Sequence, residues 1–111
     1  MTNNTDLGKT STGMQANIEA ALCYLAGWIT GLIFYLIEKE NKFVRFHAFQ
    51  SIVTFGAVTV LMIVLGIAGL WQLMNVLNVA QVVLGVVLMV AAFQGKKIKL
   101  PGAGDMAEKN S

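Results

Sequence analysis

Two stretches of the chain carry no charged residue, and they decide what it can become. One runs from Ala20 to Ile37, the other from Phe46 to Gly95 with His47 counted as neutral. A membrane-spanning helix needs about 20 apolar residues, so the first stretch suits one crossing. The second, as one helix, would be roughly 75 Å long at about 1.5 Å per residue. That is more than two hydrocarbon thicknesses of about 30 Å. It must fold back once, and three crossings are expected. Composition agrees. Of 111 residues, 56% are hydrophobic and 13% charged, against roughly 25% charged in soluble domains. So small a soluble chain would leave too much apolar surface in water.

The expected layout is a disordered polar tail over 1–17, a membrane domain over 18–95 and a basic cytoplasmic tail over 96–111. The helices fall at about 18–37, 43–70 and 76–93. Asn17 suits the cap of the first helix. The N-terminus is polar and does not resemble a secretory signal, so the first apolar run is read as a permanent anchor. Asn75 and Asn78 are the turn candidates in the fold-back. Gly95 suits a helix C-cap, followed by Lys96, Lys97 and Lys99 at the negative end of the helix dipole. Pro101, Gly102 and Gly104 are expected to end regular structure.

Basic residues set the orientation, because short loops that carry them stay in the cytoplasm. Lys39, Lys42 and Arg45 lie between the first two helices, and Lys96, Lys97, Lys99 and Lys109 follow the third. The fold-back has none. Two crossings separate these groups, so both are expected inside, with the N-terminus outside. Lys9 alone stands against this. The fold class is therefore all-α: a transmembrane three-helix bundle in the cell membrane, N-terminus outside and C-terminus cytoplasmic.

At 100° per residue the first helix gathers Ala20, Tyr24, Gly27, Trp28, Gly31, Tyr35 and Glu38 into one arc. Gly27 and Gly31, one turn apart, let another backbone approach closely. The second helix opens with a polar stripe of His47, Gln50, Ser51 and Thr54, at offsets 0, 3, 4 and 7. The third carries Asn78, Gln81, Gly85, Met89 and Ala92 on one side. Polar groups in hydrocarbon need partners, so these sides should face other helices.

Glu38, Arg45 and His47 gather at the inner membrane edge. They could form a proton or ion relay, since histidine titrates near neutral pH. The reading preferred is a solvated or snorkelling hinge with a local ion pair, since water is available to all three. Gln50, Thr54, Asn78 and Gln81 suit either a polar path or interhelical hydrogen bonds. No catalytic, cofactor-binding or metal-ligating pattern is found, and one histidine and one cysteine do not make a structural zinc site. The net charge of +2 is too small to suggest nucleic acid. The partners expected are membrane lipid and other membrane helices, copies of the same chain included.

Two segments, YLAGWITGLIFYLIEKENKFVRFHAFQS (Tyr24 to Ser51) and GKKIKLPGAGDMAEK (Gly95 to Lys109), resemble a family of small, uncharacterised prokaryotic multi-pass membrane proteins. The specific part is the EKEN-x-FVRFHA-x-QS hinge, matched at Glu38, Asn41, Phe43, Arg45, Phe46, His47, Gln50 and Ser51. That family is distantly similar to the twenty-kilodalton component of the chloroplast import translocon, which has four membrane helices. The resemblance implies a multi-pass membrane protein and brings no catalytic residues. The expected function is a structural or interaction subunit that packs with other membrane helices. The alternative is an oligomeric transport or protein-translocation component.

Overall fold

The computed structural model describes residues 8–111; the start of the expected disordered tail lies outside the described residues. Five helices follow in order: α1 (Ala16–Leu22), α2 (Trp28–Ile37), α3 (Lys42–Ile67), α4 (Trp71–Phe93) and α5 (Ala103–Asn110). Among the described residues, α3 and α4 are long and apolar enough to cross a membrane.

Local chemistry sets the ends of these two helices. Asn41 caps α3, its Oδ1 accepting from Val44 N at 3.0 Å, which satisfies one of the orphan donors of the first turn. After α3, Leu70 N donates back to Leu65 O at 2.9 Å and Gly69 N to Gly66 O at 3.1 Å, closing the helix by the double bond of a Schellman motif. The fold-back is therefore Ala68 to Leu70. Asn75 and Asn78, the expected turn residues, lie inside α4. Asparagine is a mediocre helix former but no breaker, and Gly69 ends α3 first. Gly95 N and Lys96 N close α4 onto Ala92 O and Ala91 O.

The helix expected over 18–37 does not form as one piece. It breaks into α1 and α2 across Cys23–Gly27, with Gly27 at φ 64° and ψ −135°, a region that side chains strain to enter. The cause lies elsewhere in the chain. Ser51 Oγ stands 2.8 Å from both Cys23 O and Gly27 O. Thr30 Oγ1 donates to Cys23 O and accepts from Ala26 N, each at 3.1 Å. Side chains thus take over backbone groups that a continuous helix would have paired, which is what lets a break persist in so apolar a segment. Replacing Gly27 by Ala is expected to cost about 1–3 kcal/mol, read as a lower melting temperature in detergent.

The two short helices form a hairpin that enters and leaves at one end. Gly27 lies against Phe55, Gly31 against Ala48 and Ser51, and the carbonyls of Tyr35 and Glu38 bond Arg45. So α2 runs antiparallel to α3, from partway along it back to its start. Asn17 Nδ2 donates to Phe93 O at 3.0 Å, so α1 starts where α4 ends. Ten and seven residues rise only about 15 and 10 Å, too little to span.

The expected bundle of three crossing helices, with termini at opposite ends, therefore gives way to two long helices and a hairpin. Residues 9–12, the hinge at 38–41 and the C-terminal segment all gather at the same end. Ser11 N donates to Glu38, Asn41 Nδ2 to Lys9 O, and Gln50 holds Ile98 and Leu100. Nor does regular structure stop at Pro101. After Gly102 the chain forms α5, with Ala107 fully buried and Tyr35 Oη donating to Asn110 O at 2.8 Å. Packing follows the same polarity: the buried residues of α3 all lie between Phe43 and Phe55, while Val60, Ile67 and Trp71 are exposed.

Candidate functional site: a buried polar cluster under the hinge

The first half of α3 turns His47, Gln50 and Ser51 inward, and all three are fully buried. His47 Nε2 lies 3.1 Å from Lys96 O. A carbonyl only accepts, so Nε2 carries the proton and Nδ1 is the acceptor. Tyr24 Oη, 2.6 Å from Nδ1, is its donor. Gln50 Nε2 donates to Tyr24 Oη at 3.1 Å and to Ile98 O at 2.9 Å, while Gln50 Oε1 accepts from Leu100 N at 3.0 Å. Every polar atom of this relay then has a role consistent with a neutral imidazole. Phe43, Phe46 and Tyr24 surround the ring edge-on, with centroids 4.7–5.5 Å away. The relay straps residues 96–100 across the start of α3.

A second cluster lies beside it. Glu38 is fully buried. Its Oε1 and Oε2 accept from Ser11 N at 2.9 and 2.8 Å, and Oε2 also accepts from Glu40 N and Asn41 N at 3.0 Å. Burial pushes this carboxyl up. The Ser11 and Asn41 amides, Glu19 and the Glu40 amide outweigh it and hold the group below the usual carboxylate range. Glu19, on α1 outside the two long helices, is also fully buried. Thr12 Oγ1 donates to its Oε1 at 2.9 Å, and among the described residues Oε2 meets no donor. Burial and contact with Glu38 push it up to about 7, against a smaller opposing pull from Thr12. Of the two neighbouring carboxyls, Glu38 holds the charge and Glu19 the proton.

Arg45 does not pair with the Glu38 carboxylate. Its Nη1 donates to Glu38 O at 2.7 Å and Tyr35 O at 3.1 Å, with the guanidinium 4.2 Å over the Tyr35 ring. It closes the C-terminus of α2 by taking carbonyls left unpaired there. The solvated hinge with a local ion pair is thus corrected: Glu38 and His47 are enclosed by protein, and two hydrogen-bond networks replace the ion pair.

The remaining expected residues divide. Gly27 and Gly31 both lie against α3, on Phe55 and on Ala48 and Ser51. Thr54 Oγ1 is buried without a hydrogen-bond partner among the described residues. Asn78 and Gln81 are far from the hinge on α4, joined at 3.0 Å, with Gln81 also reaching Met62 Sδ. They do not share a path with Gln50. Sequence reasoning missed Glu19 as a site residue, and Tyr24 and Asn41 as members of the networks. A glutamate inside an assigned membrane helix was the available signal, because ionisable groups at that depth are costly.

Among the described residues, no group of three or more His, Cys, Asp or Glu side chains is placed to hold a metal ion. A family model described as the magnetosome magnetite crystal formation protein family, MamF/MmsF, matches residues 10–107. A UPF0132 membrane protein of Methanocaldococcus jannaschii is 52% identical over 106 residues, covering 95% of this chain and 96% of the relative. A second from that organism is 40% identical over 99 residues, covering 87% and 71%. One from Archaeoglobus fulgidus is 39% identical over 98 residues, covering 86% and 95%. No solved structure matches. The match spans the hairpin, both long helices and most of α5, so the chain is a multi-pass membrane protein that belongs to the MamF/MmsF family.

Proposed function

We propose that the protein is an interaction subunit that crosses the bilayer twice, keeps both described termini in the cytoplasm and receives a partner's membrane helix beside its hairpin. The orientation is supported by charge. All eight Lys and Arg residues of the chain belong to segments at the hinge end, Lys9 included, as the positive-inside rule asks.

One observation carries the interaction reading. The hairpin stops partway along α3 and leaves a groove of about 450 Å³, lined among others by Gly27, Trp28, Phe55, Thr59, Gln81 and Gly85. The turn of the hairpin opens into it, with Leu25 63% exposed. Irregular backbone in hydrocarbon is tolerated where protein or water covers it. Its lining is mostly apolar, and Gly27, Thr59, Gln81 and Gly85 add the small and polar contacts on which membrane helices pack, so a helix is the occupant that fits.

Cysteines placed at Leu25 and Val82, on the groove, and at Ile33, on the outer face of α2, test this in native membranes. Crosslinked species are expected from the first two at several-fold the yield from Ile33, and their mass separates a second copy from another protein. Equal yields would refute the groove. Impermeant labelling should reach Lys9→Cys and Lys97→Cys from the same side of the membrane; opposite sides would refute two crossings.

The transport or translocation reading rests on the same hairpin, because broken helices that end at membrane depth also build binding sites in transporters. It requires a flux in reconstituted vesicles that Gln81→Leu abolishes while assembly persists. The magnetite chemistry in the family's description has no counterpart in a cluster of acidic or metal-ligating side chains among the described residues.

A further inference from the structure

The hinge end carries a feature that the interaction reading does not use. Residues 9–12 lie as a strap over the hinge, held almost wholly through Glu38 and its neighbours. Ser11 N donates to both Glu38 oxygens at 2.8–2.9 Å. Ser11 Oγ accepts from Lys39 N at 2.9 Å and Glu40 N at 3.2 Å, and Asn41 Nδ2 donates to Lys9 O at 2.9 Å. Thr12 Oγ1 ties the strap to Glu19. Glu19 and Glu38 come from opposite arms of the hairpin and are both fully buried. The donor inventory is uneven: among the described residues three amides serve Glu38, one hydroxyl serves Glu19, and Glu19 Oε2 has no donor. Two adjoining buried carboxyls cannot both be ionised without strong repulsion, so one proton must remain between them.

We propose that the Glu19–Glu38 pair is a proton-operated latch: one proton held by Glu19 keeps residues 9–12 clamped on the hinge, and its loss releases them. The fully charged pair has no counterion to receive it. Lys39 and Glu40 flank Glu38 on the hinge, Lys9 touches Asn41 only through its carbonyl, and Arg45 on α3 is engaged with the carbonyls of Glu38 and Tyr35. From the end of α4, Lys97 sits over Phe46 and pairs with Glu108 of α5. At the C-cap of α1 the Cys23 thiol follows one turn after Glu19. Among the described residues neither glutamate has an ion-pair partner.

The direction follows from linkage. The clamped state holds the Glu19 proton more tightly than an open, hydrated state would. Its advantage is therefore complete below about pH 4.5 and lost as pH rises through about 7. Glu38 has the opposite sign: its contribution is present above the ordinary carboxylate range and fades only in stronger acid, as pH falls through its lowered value. The strap is held best in mild acid and loosens above neutrality.

Hydrogen exchange on the full chain in detergent or nanodiscs, expressed as protection relative to unstructured peptide at each pH, tests the latch. From pH 5 to 9 the protection of the Ser11 amide, bonded to Glu38, should fall about tenfold or more. The Leu100 amide, bonded to Gln50, should hold steady as the reference within the same molecule. Glu19→Gln should keep the strap protected at pH 9, because the amide donates without titrating. Thr12→Val, which removes the one donor favouring ionised Glu19, should move the fall to higher pH, and it keeps the test alive where the glutamine variant does not fold. Flat protection in the unaltered protein would overturn the latch. So would a pH midpoint unchanged in Thr12→Val, or a fall that persists in Glu19→Gln.

Discussion

Replacing Gly31 by Ala is expected to lower the stability of the protein in detergent by about 1–3 kcal/mol, and replacing it by Val to prevent the hairpin from docking. A Cβ built at Gly31 would stand 2.7 Å from Ser51 Oγ, 2.9 Å from Ser51 Cβ and 2.9 Å from Ala48 O. None of these atoms can yield freely. Ala48 O belongs to the backbone of α3, and Ser51 Oγ is held between the carbonyls of Cys23 and Gly27. Relief by turning Ser51 would take away the hydrogen bonds that support the break between α1 and α2, so the clash and the loss of the break reinforce each other. Gly56, also on α3, is the control: an added Cβ meets nothing within 4 Å. Gly56→Ala should be neutral or more stable by up to about 1 kcal/mol through helix propensity. Thermal or denaturant unfolding of both variants in the same detergent makes the comparison. Equal midpoints would mean that α2 does not press on α3 as described.

That contrast also shows where the sequence was readable. The two long helices follow from length and hydropathy; α3 begins within a residue of the expected 43, and α4 ends at the expected 93, just before Gly95 and the lysines. The stripe of His47, Gln50, Ser51 and Thr54 was visible as a period. What it faced was not, because its partners are largely backbone atoms of Cys23, Gly27, Lys96, Ile98 and Leu100, and any residue type supplies those. The break after Leu22 was hidden for the same reason. The segment around it is evenly apolar, and the atoms that stabilise the turn include Ser51, a residue far along the chain. Two dissonant residues did point to the outcome. Glu19 is poorly suited to a crossing helix, and Lys9 is poorly suited to an outside terminus. Both suit the proposed topology, in which the first apolar run is a hairpin that returns to the side it entered.

Removing the amide of Gln50 should release the C-terminal segment while leaving the two long helices in place. Gln50→Leu keeps roughly the same volume but gives up the hydrogen bonds to Ile98 O, Leu100 N and Tyr24 Oη. A buried donor or acceptor left unpaired costs about 1–3 kcal/mol. Ile98 O and Leu100 N have a way to avoid that cost, which is to lift off into water and take Pro101 and α5 with them. The expected result is a rise of about tenfold or more in the rate of tryptic cleavage after Lys97 and Lys99, since each 1.4 kcal/mol of lost clamping corresponds to tenfold in the open population. Far-ultraviolet helicity should fall only by the share of α5. Gln50→Glu separates the two halves of the clamp: its carboxylate still accepts from Leu100 N but cannot donate to Ile98 O, so cleavage should lie between the unaltered protein and Gln50→Leu. His47→Ala, which removes the contact to Lys96 O and leaves Tyr24 without its acceptor, should also loosen residues 96–100. Because His47, Tyr24 and Gln50 share one relay, the double variant should be less than additive. A tail that stays protected in Gln50→Leu would mean that α5 is held by its own packing against α3 and α2, with the buried relay serving the hairpin alone.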